Sequence, residues 1–193
     1  MTSSACRGTS AMQSASNMSD PTTQRQGWVH ETAKGLIDAA GEWEIPHEYP
    51  FVQLVLMPSF HPNVVLTLLG DSASWVLSVV SERSNPNGAL RATIAVQADE
   101  ANSLQAAASG ALRSPTSADD TITRDGMAVL LRTSDGERAW YPAPMSQTAE
   151  GSVIELFFEH GANIPDIDVR KDIAAVASYV HHPGPVSKRR QAT

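Results

Sequence analysis

Cysteine occurs once in this 193-residue chain, at Cys6, so no internal disulfide can form and a disulfide-stapled scaffold is excluded. Long apolar runs are missing too, and none approaches the ~18 residues that a helix needs to cross a bilayer. Basic charge is scarce. Five of the 14 basic residues and one of the 21 acids lie in the two terminal segments, so the body between them sets nine basic residues against twenty acids, a balance of −11. Such a surface repels phosphate backbones, whose binding rests on neutralisation by Lys and Arg, and nucleic acid is not expected as a partner. It attracts and steers a cationic protein, although acidity also serves solubility alone. The terminal Lys188-Arg189-Arg190 cluster, after Pro183-Gly184-Pro185, reads as a solvated tail.

Motifs for reactive chemistry are equally sparse. The histidines are His30, His47, His61, His160, His181 and His182, and none makes the paired His-Glu-x-x-His pattern of a helical zinc site. His47-Glu48 begins that pattern, but position 51 is Phe and prolines flank the stretch. No Gly-x-Ser-x-Gly elbow is present, and neither phosphate-cradling glycine loop occurs. We therefore expect no metal and no cofactor.

Around Cys6 the sequence has more to offer. Ser3-Ser4-Ala5 precede it, and a Ser/Thr/Gln-rich run with almost no large apolar residue follows to about Gln26. Small residues before and a polar tether after resemble the surroundings of the lipid-bearing cysteine of bacterial lipoproteins. An export signal also needs an apolar stretch of roughly 7–15 residues ahead of its cleavage site, and only Met1-Thr2 precede Ser3. The expectation is accordingly split: a cytoplasmic protein if Met1 is the true start, and an envelope lipoprotein with Cys6 lipidated if an upstream signal belongs to the chain.

Between terminal segments 1–25 and 184–193, residues 26–183 read as one α+β domain. Val29, Ala33, Leu36, Ile37 and Ala40 recur at helical spacing over Gln26–Ala40, with Gly41 as a stop. Strands follow over Phe51–Met57, Asn63–Leu69 and Trp75–Arg83. The turn Ser84-Asn85-Pro86-Asn87-Gly88 leads into a strand where Leu90, Ala92, Ile94 and Val96 alternate with polar neighbours. A helix is predicted over Glu100–Leu112 with Asp99 as its cap. Strand patterns resume at Met127–Leu131 and Glu137–Tyr141 around the turn Ser134-Asp135-Gly136. Helices over Ser152–His160 and Asp168–His181, the latter capped by Asp168, complete the order. Tight turns between successive strands favour an antiparallel meander over a parallel sheet, so the expected fold is a mainly antiparallel sheet of about six strands with helices packed against it.

The candidate site residues are few. Glu42, Trp43, Glu44 and Glu48 share a proline-broken loop, and Trp140-Tyr141 sit before Pro142, so these acids and rings are candidates for partner binding. His61, held between Phe60 and Pro62, pairs on paper with Glu44 or Glu48 as a general acid–base set. Asp119-Asp120 and Asp125 crowd a second acidic loop. The leading expectation is a small acidic non-enzymatic binding protein, such as an inhibitor or immunity protein for a cationic enzyme, tethered to the envelope if Cys6 carries lipid. The alternatives are a hydrolase using His61 with a carboxylate of the Glu42–Glu48 loop, and a structural envelope lipoprotein.

Overall fold

Short apolar runs separated by turns leave each strand unable to bury its own faces, and the chain resolves this by stacking them into one sheet. The structure is a computed structural model. It describes residues 21–40, 49–71, 74–82, 89–114, 126–140 and 148–181.

In chain order the elements are α1 (Pro21–Ala40), β1 (Phe51–Pro58), β2 (Asn63–Gly70), β3 (Trp75–Glu82), β4 (Leu90–Val96), α2 (Ala98–Arg113), β5 (Met127–Thr133), β6 (Gly136–Trp140), α3 (Ala149–Gly161) and α4 (Ile167–His181). The strands form one six-stranded sheet in the order β4-β3-β2-β1-β5-β6, and every pairing is antiparallel. With four helices packed against it, this is the expected α+β architecture. The expected turn at Ser84–Gly88 lies outside the described residues.

Helix starts differ most from the sequence reading, and capping chemistry explains the difference. The helix expected from Gln26 begins at Pro21, a residue suited to a first helical turn because that turn leaves its N–H groups unpaired. At α2 the residue before the helix is Gln97, not Asp99. Glu100 reaches back to accept from the Gln97 N–H at 3.1 Å, and Asp99 sits within the first turn. Thr148 caps α3, its hydroxyl accepting from Gly151 N at 2.9 Å. For α4 the expected cap Asp168 is itself held by Asp166, whose carboxylate accepts from Asp168 N at 2.9 Å and Val169 N at 3.0 Å.

The two sheet faces are covered unequally. One packs Val52, Leu54, Leu56, Leu66, Leu77, Val129 and Leu131 against α2, α3 and α4. On this side α4 lies over β1 to β4, α2 lies over β1, β5 and β6, and α3 contacts both helices. A buried hydrogen bond, Ser81 Oγ to Asp172 Oδ2 at 2.6 Å, fastens α4 to β3. Arg138 of β6 ties the other helices down. It donates to the Ala111 carbonyl at 2.7 Å and the Ser114 carbonyl at 2.5 Å, so it occupies acceptors that the end of α2 would otherwise leave open. It also lies 3.9 Å from Glu150 in the first turn of α3, and 5.4 Å over the Trp140 ring.

On the opposite face the cover among the described residues is α1 alone. Val29, Ala33 and Ile37 pack on Val55, Met57, Val65, Val80, Ala128, Leu130 and Ala139. The helix lies over β6, β5, β1 and β2, while Val76, Arg91, Thr93 and Ala95, at the far side of this face, are exposed. No described helix is long and apolar enough to cross a membrane.

The β2–β3 connection depends on Gly70. A Cβ there would collide with the Ser74 carbonyl oxygen and stand 2.8 Å from the Trp75 Cα, so only glycine fits so close to the returning backbone.

Candidate functional site

Cross-strand neighbours share a face, and the register therefore assembles side chains that are far apart in sequence. Gln53 faces both Arg132 and Thr67; Thr67 faces Ser78; Ser78 faces Thr93; Arg132 faces Glu137. The result is a row of polar residues, one from each strand, crossing the α1 side of the sheet from β6 to β4. Immediately beside it runs the row Ala139, Leu130, Val55, Val65 and Val80, which is apolar.

Burial varies along the polar row. Gln53 and Thr67 are buried, Ser78 and Arg132 are half-buried, and Thr93 and Glu137 are exposed. A buried polar group without a partner is costly, and here the partners are supplied by neighbouring strands. Arg132 Nη1 donates to Gln53 Oε1 at 2.7 Å, and Gln53 Nε2 donates to Thr67 Oγ1 at 3.1 Å. Glu137 lies 3.6 Å from Arg132 Nε, with its other oxygen 3.3 Å from His30 Nδ1 of α1. The Arg132 guanidinium also stands 5.9 Å over the Phe51 ring. Burial pushes the Arg132 guanidinium below its ordinary value, a pull opposed by Glu137 and then by Asp38 of α1. The folded state therefore holds this proton less tightly than the unfolded chain. The penalty for the buried charge persists at every pH below the lowered value, and is relieved only as strongly alkaline pH strips the proton. This network orients donors and acceptors toward one another. It binds α1 to the sheet by polar contacts as well as by apolar ones.

A second feature is the end of the sheet at which β1 begins. The pairs Phe51 with Leu69, Gly70 with Trp75, Trp75 with Val96 and Thr133 with Gly136 place three connections there: β2–β3, β4–α2 and β5–β6. Asp71 and Asp135 lie in these connections, Asp99 and Glu100 in the first turn of α2 and Glu137 at the start of β6; all are exposed, and Glu137 is already paired with Arg132 and His30. With strands about 4.8 Å apart, six strands spread these acids over a rim on the order of 24 Å wide. Some of these acids also serve local structure, Asp71 accepting from Ser74 N–H and Glu100 from Gln97 N–H, as do acids elsewhere: Glu82 accepts from Asn63, Asp166 caps α4, and Asp168 pairs with Lys171.

The candidates from sequence fall in different places. His61 is exposed in the β1–β2 turn, its ring edge-on to Tyr179 of α4 with centroids 5.7 Å apart and planes at 84°. Trp140 is half-buried at the end of β6, against the helical side of the core and under Arg138. Glu42, Trp43, Glu44, Glu48, Tyr141 and Cys6 lie outside the described residues, as do Asp119, Asp120 and Asp125. Among the described residues no group of three or more His, Cys, Asp or Glu is placed to hold a metal ion.

The polar row was absent from the sequence reading. Its signal was a polar residue set between apolar neighbours in each Val/Leu-rich run: Gln53 in Phe51–Pro58, Thr67 in Asn63–Gly70 and Ser78 in Trp75–Glu82. That these fall on one line requires the strand register.

No protein-family model matches this chain, and neither does any curated protein or solved structure.

Proposed function

We propose that this protein acts by binding a cationic protein partner, as an inhibitor or immunity protein for a basic enzyme would, with the acidic rim at the β1-start end of the sheet as its contact surface. The observation that carries this reading is the gathering of exposed Asp71, Asp99, Glu100 and Asp135 at one end of the sheet, where the connections between strands hold no Lys or Arg. Exposed like charges held on rigid strand ends give a directional field. Such a field raises association rates with an oppositely charged partner, and salt weakens it.

The test uses the full chain immobilised and an extract of its own cells, with a lysine-rich polypeptide as a defined probe. Asp71→Asn, Asp99→Asn and Asp135→Asn are combined in one variant that keeps side-chain shape. The expected outcome is a basic protein retained by the native chain at low salt, released as salt rises, and not retained by the triple variant. Equal retention by both forms, or no basic protein retained at low salt, refutes the reading.

A further inference from the structure

We propose that β4 is a self-association edge, and that a second copy of this chain pairs with it antiparallel about a two-fold axis at Thr93, joining the two sheets into one.

β4 ends the sheet and among the described residues pairs only with β3. Natural edge strands are protected by proline, lysine, bulges or inward-pointing charge. The sequence Leu-Arg-Ala-Thr-Ile-Ala-Val has no proline or lysine and its one charge, Arg91, is exposed on the α1 side, while its register with β3 runs unbroken from Trp75 facing Val96 to Ser81 facing Leu90. The core is also unfinished along this strand. Leu77 and Val79 of β3 are fully buried on the helical side, whereas Leu90, Ala92 and Ile94 beside them stay half-buried. A further strand laid against β4 would cover them.

Charge placement selects the occupant and its direction. Pairing about Thr93 sets Thr93 against Thr93 of the second copy, Arg91 against Ala95, Leu90 against Val96, and Ala92 against Ile94. Apolar residues thus meet apolar residues on the helical side, and no like charges stand opposite one another. Arg91 of each copy is carried toward the junction that bears Asp99 and Glu100 of the other. The antiparallel direction also sends the two acidic rims to opposite ends of the joined sheet, whereas parallel pairing would set them side by side. Because each copy carries a net charge of −7, screening by salt should strengthen this pairing. That trend is opposite to the one expected for a cationic partner, so the two readings fail separately.

The experiment is sedimentation equilibrium of the full chain over a range of micromolar concentrations at low and moderate salt. The expected mass rises toward twice the 20.6 kDa of one chain, and rises further with salt. Thr93→Lys places two ammonium groups face to face on the axis and should return the mass to one chain. Thr93→Glu should do the same, and an equimolar mixture of the two variants should restore the double mass. Position 93 is exposed, so at dilutions where the native chain is single the thermal melt of each variant should match the native one, and only the native melt should rise with concentration. Directly opposed residues of antiparallel strands have Cα atoms about 4.5–5.5 Å apart, within disulfide range. Thr93→Cys in a Cys6→Ser background should therefore cross-link to itself under mild oxidation. A native chain that stays single at every concentration, a double mass that survives Thr93→Lys, or a Thr93→Cys cross-link to a different protein overturns the proposal.

Discussion

The two faces of this sheet are built from the same six strands, yet they hold their helices by different means. On the side of α2, α3 and α4, successive cross-strand rows are almost wholly apolar, and Phe157, Leu54, Leu66 and Leu77 are fully buried. On the side of α1 an apolar row is followed by a polar one, so part of the helix's attachment runs through the His30–Glu137 contact, with Arg132, Gln53 and Thr67 linked behind it within the sheet. Apolar burial is non-directional and scales with area. Hydrogen-bonded burial is directional and fails when one partner is lost. The helical side should therefore dominate global stability, and the α1 side should set how that single helix is positioned and when it lets go.

This contrast can be broken most sharply from the helical side. Phe157→Ala should cost about 3–5 kcal/mol, read by urea denaturation, because it leaves a cavity at a fully buried position of the helical-side core. Ile37→Ala, its counterpart on α1, should cost about 2–4 kcal/mol. Hydrogen exchange should show protection lost in α1 before β1 or β2. If both variants unfold the whole domain in one transition of equal size, the two faces do not differ as described. Next in size come Arg132→Leu and Gln53→Leu, each expected to cost about 1–3 kcal/mol because each strands a buried polar partner. Together they should cost less than their sum, since the double variant leaves fewer groups unsatisfied; strict additivity would show that the row is not a network. His30→Ala removes a half-exposed contact to Glu137 and should change stability by at most about 1 kcal/mol, an effect that added salt should shrink. Val76→Ser, on the exposed part of the same face, should stay within about 0.5 kcal/mol.

How much of this was legible in the sequence depends on whether the governing interaction is local. Alternation between a buried and a wet face located Leu90–Val96, and apolar runs bounded by turn residues located Phe51–Met57 and Asn63–Leu69, because both patterns are written in consecutive residues. The α+β class followed from the order of elements and the tight turns between them. Helix starts were less legible, because Thr148 and Asp166 act through backbone N–H groups two or three residues on, and Ser, Thr and Asp abound near each start. The polar row was not legible. Gln53 and Thr67 lie fourteen residues apart, and Gln53 and Arg132 lie 79 apart, so their meeting is a property of strand order. The acidic rim is intermediate: its residues are visible as turn acids, but only the register brings Asp71, Asp99 and Asp135 to one end. His61 and Trp140 stood out by local context and found ring neighbours, Tyr179 and the Arg138 guanidinium.

Arg138 carries a consequence of its own. Side chains in a strand alternate sides, so a slip of β6 by one residue would swing this guanidinium to the opposite surface. The carbonyls at the close of α2 and the carboxylate opening α3 would then be abandoned together. One arginine thus serves as a proofreader of alignment: it lets two helices settle only when the shortest strand has been threaded correctly, and a misaligned chain forfeits both attachments at once.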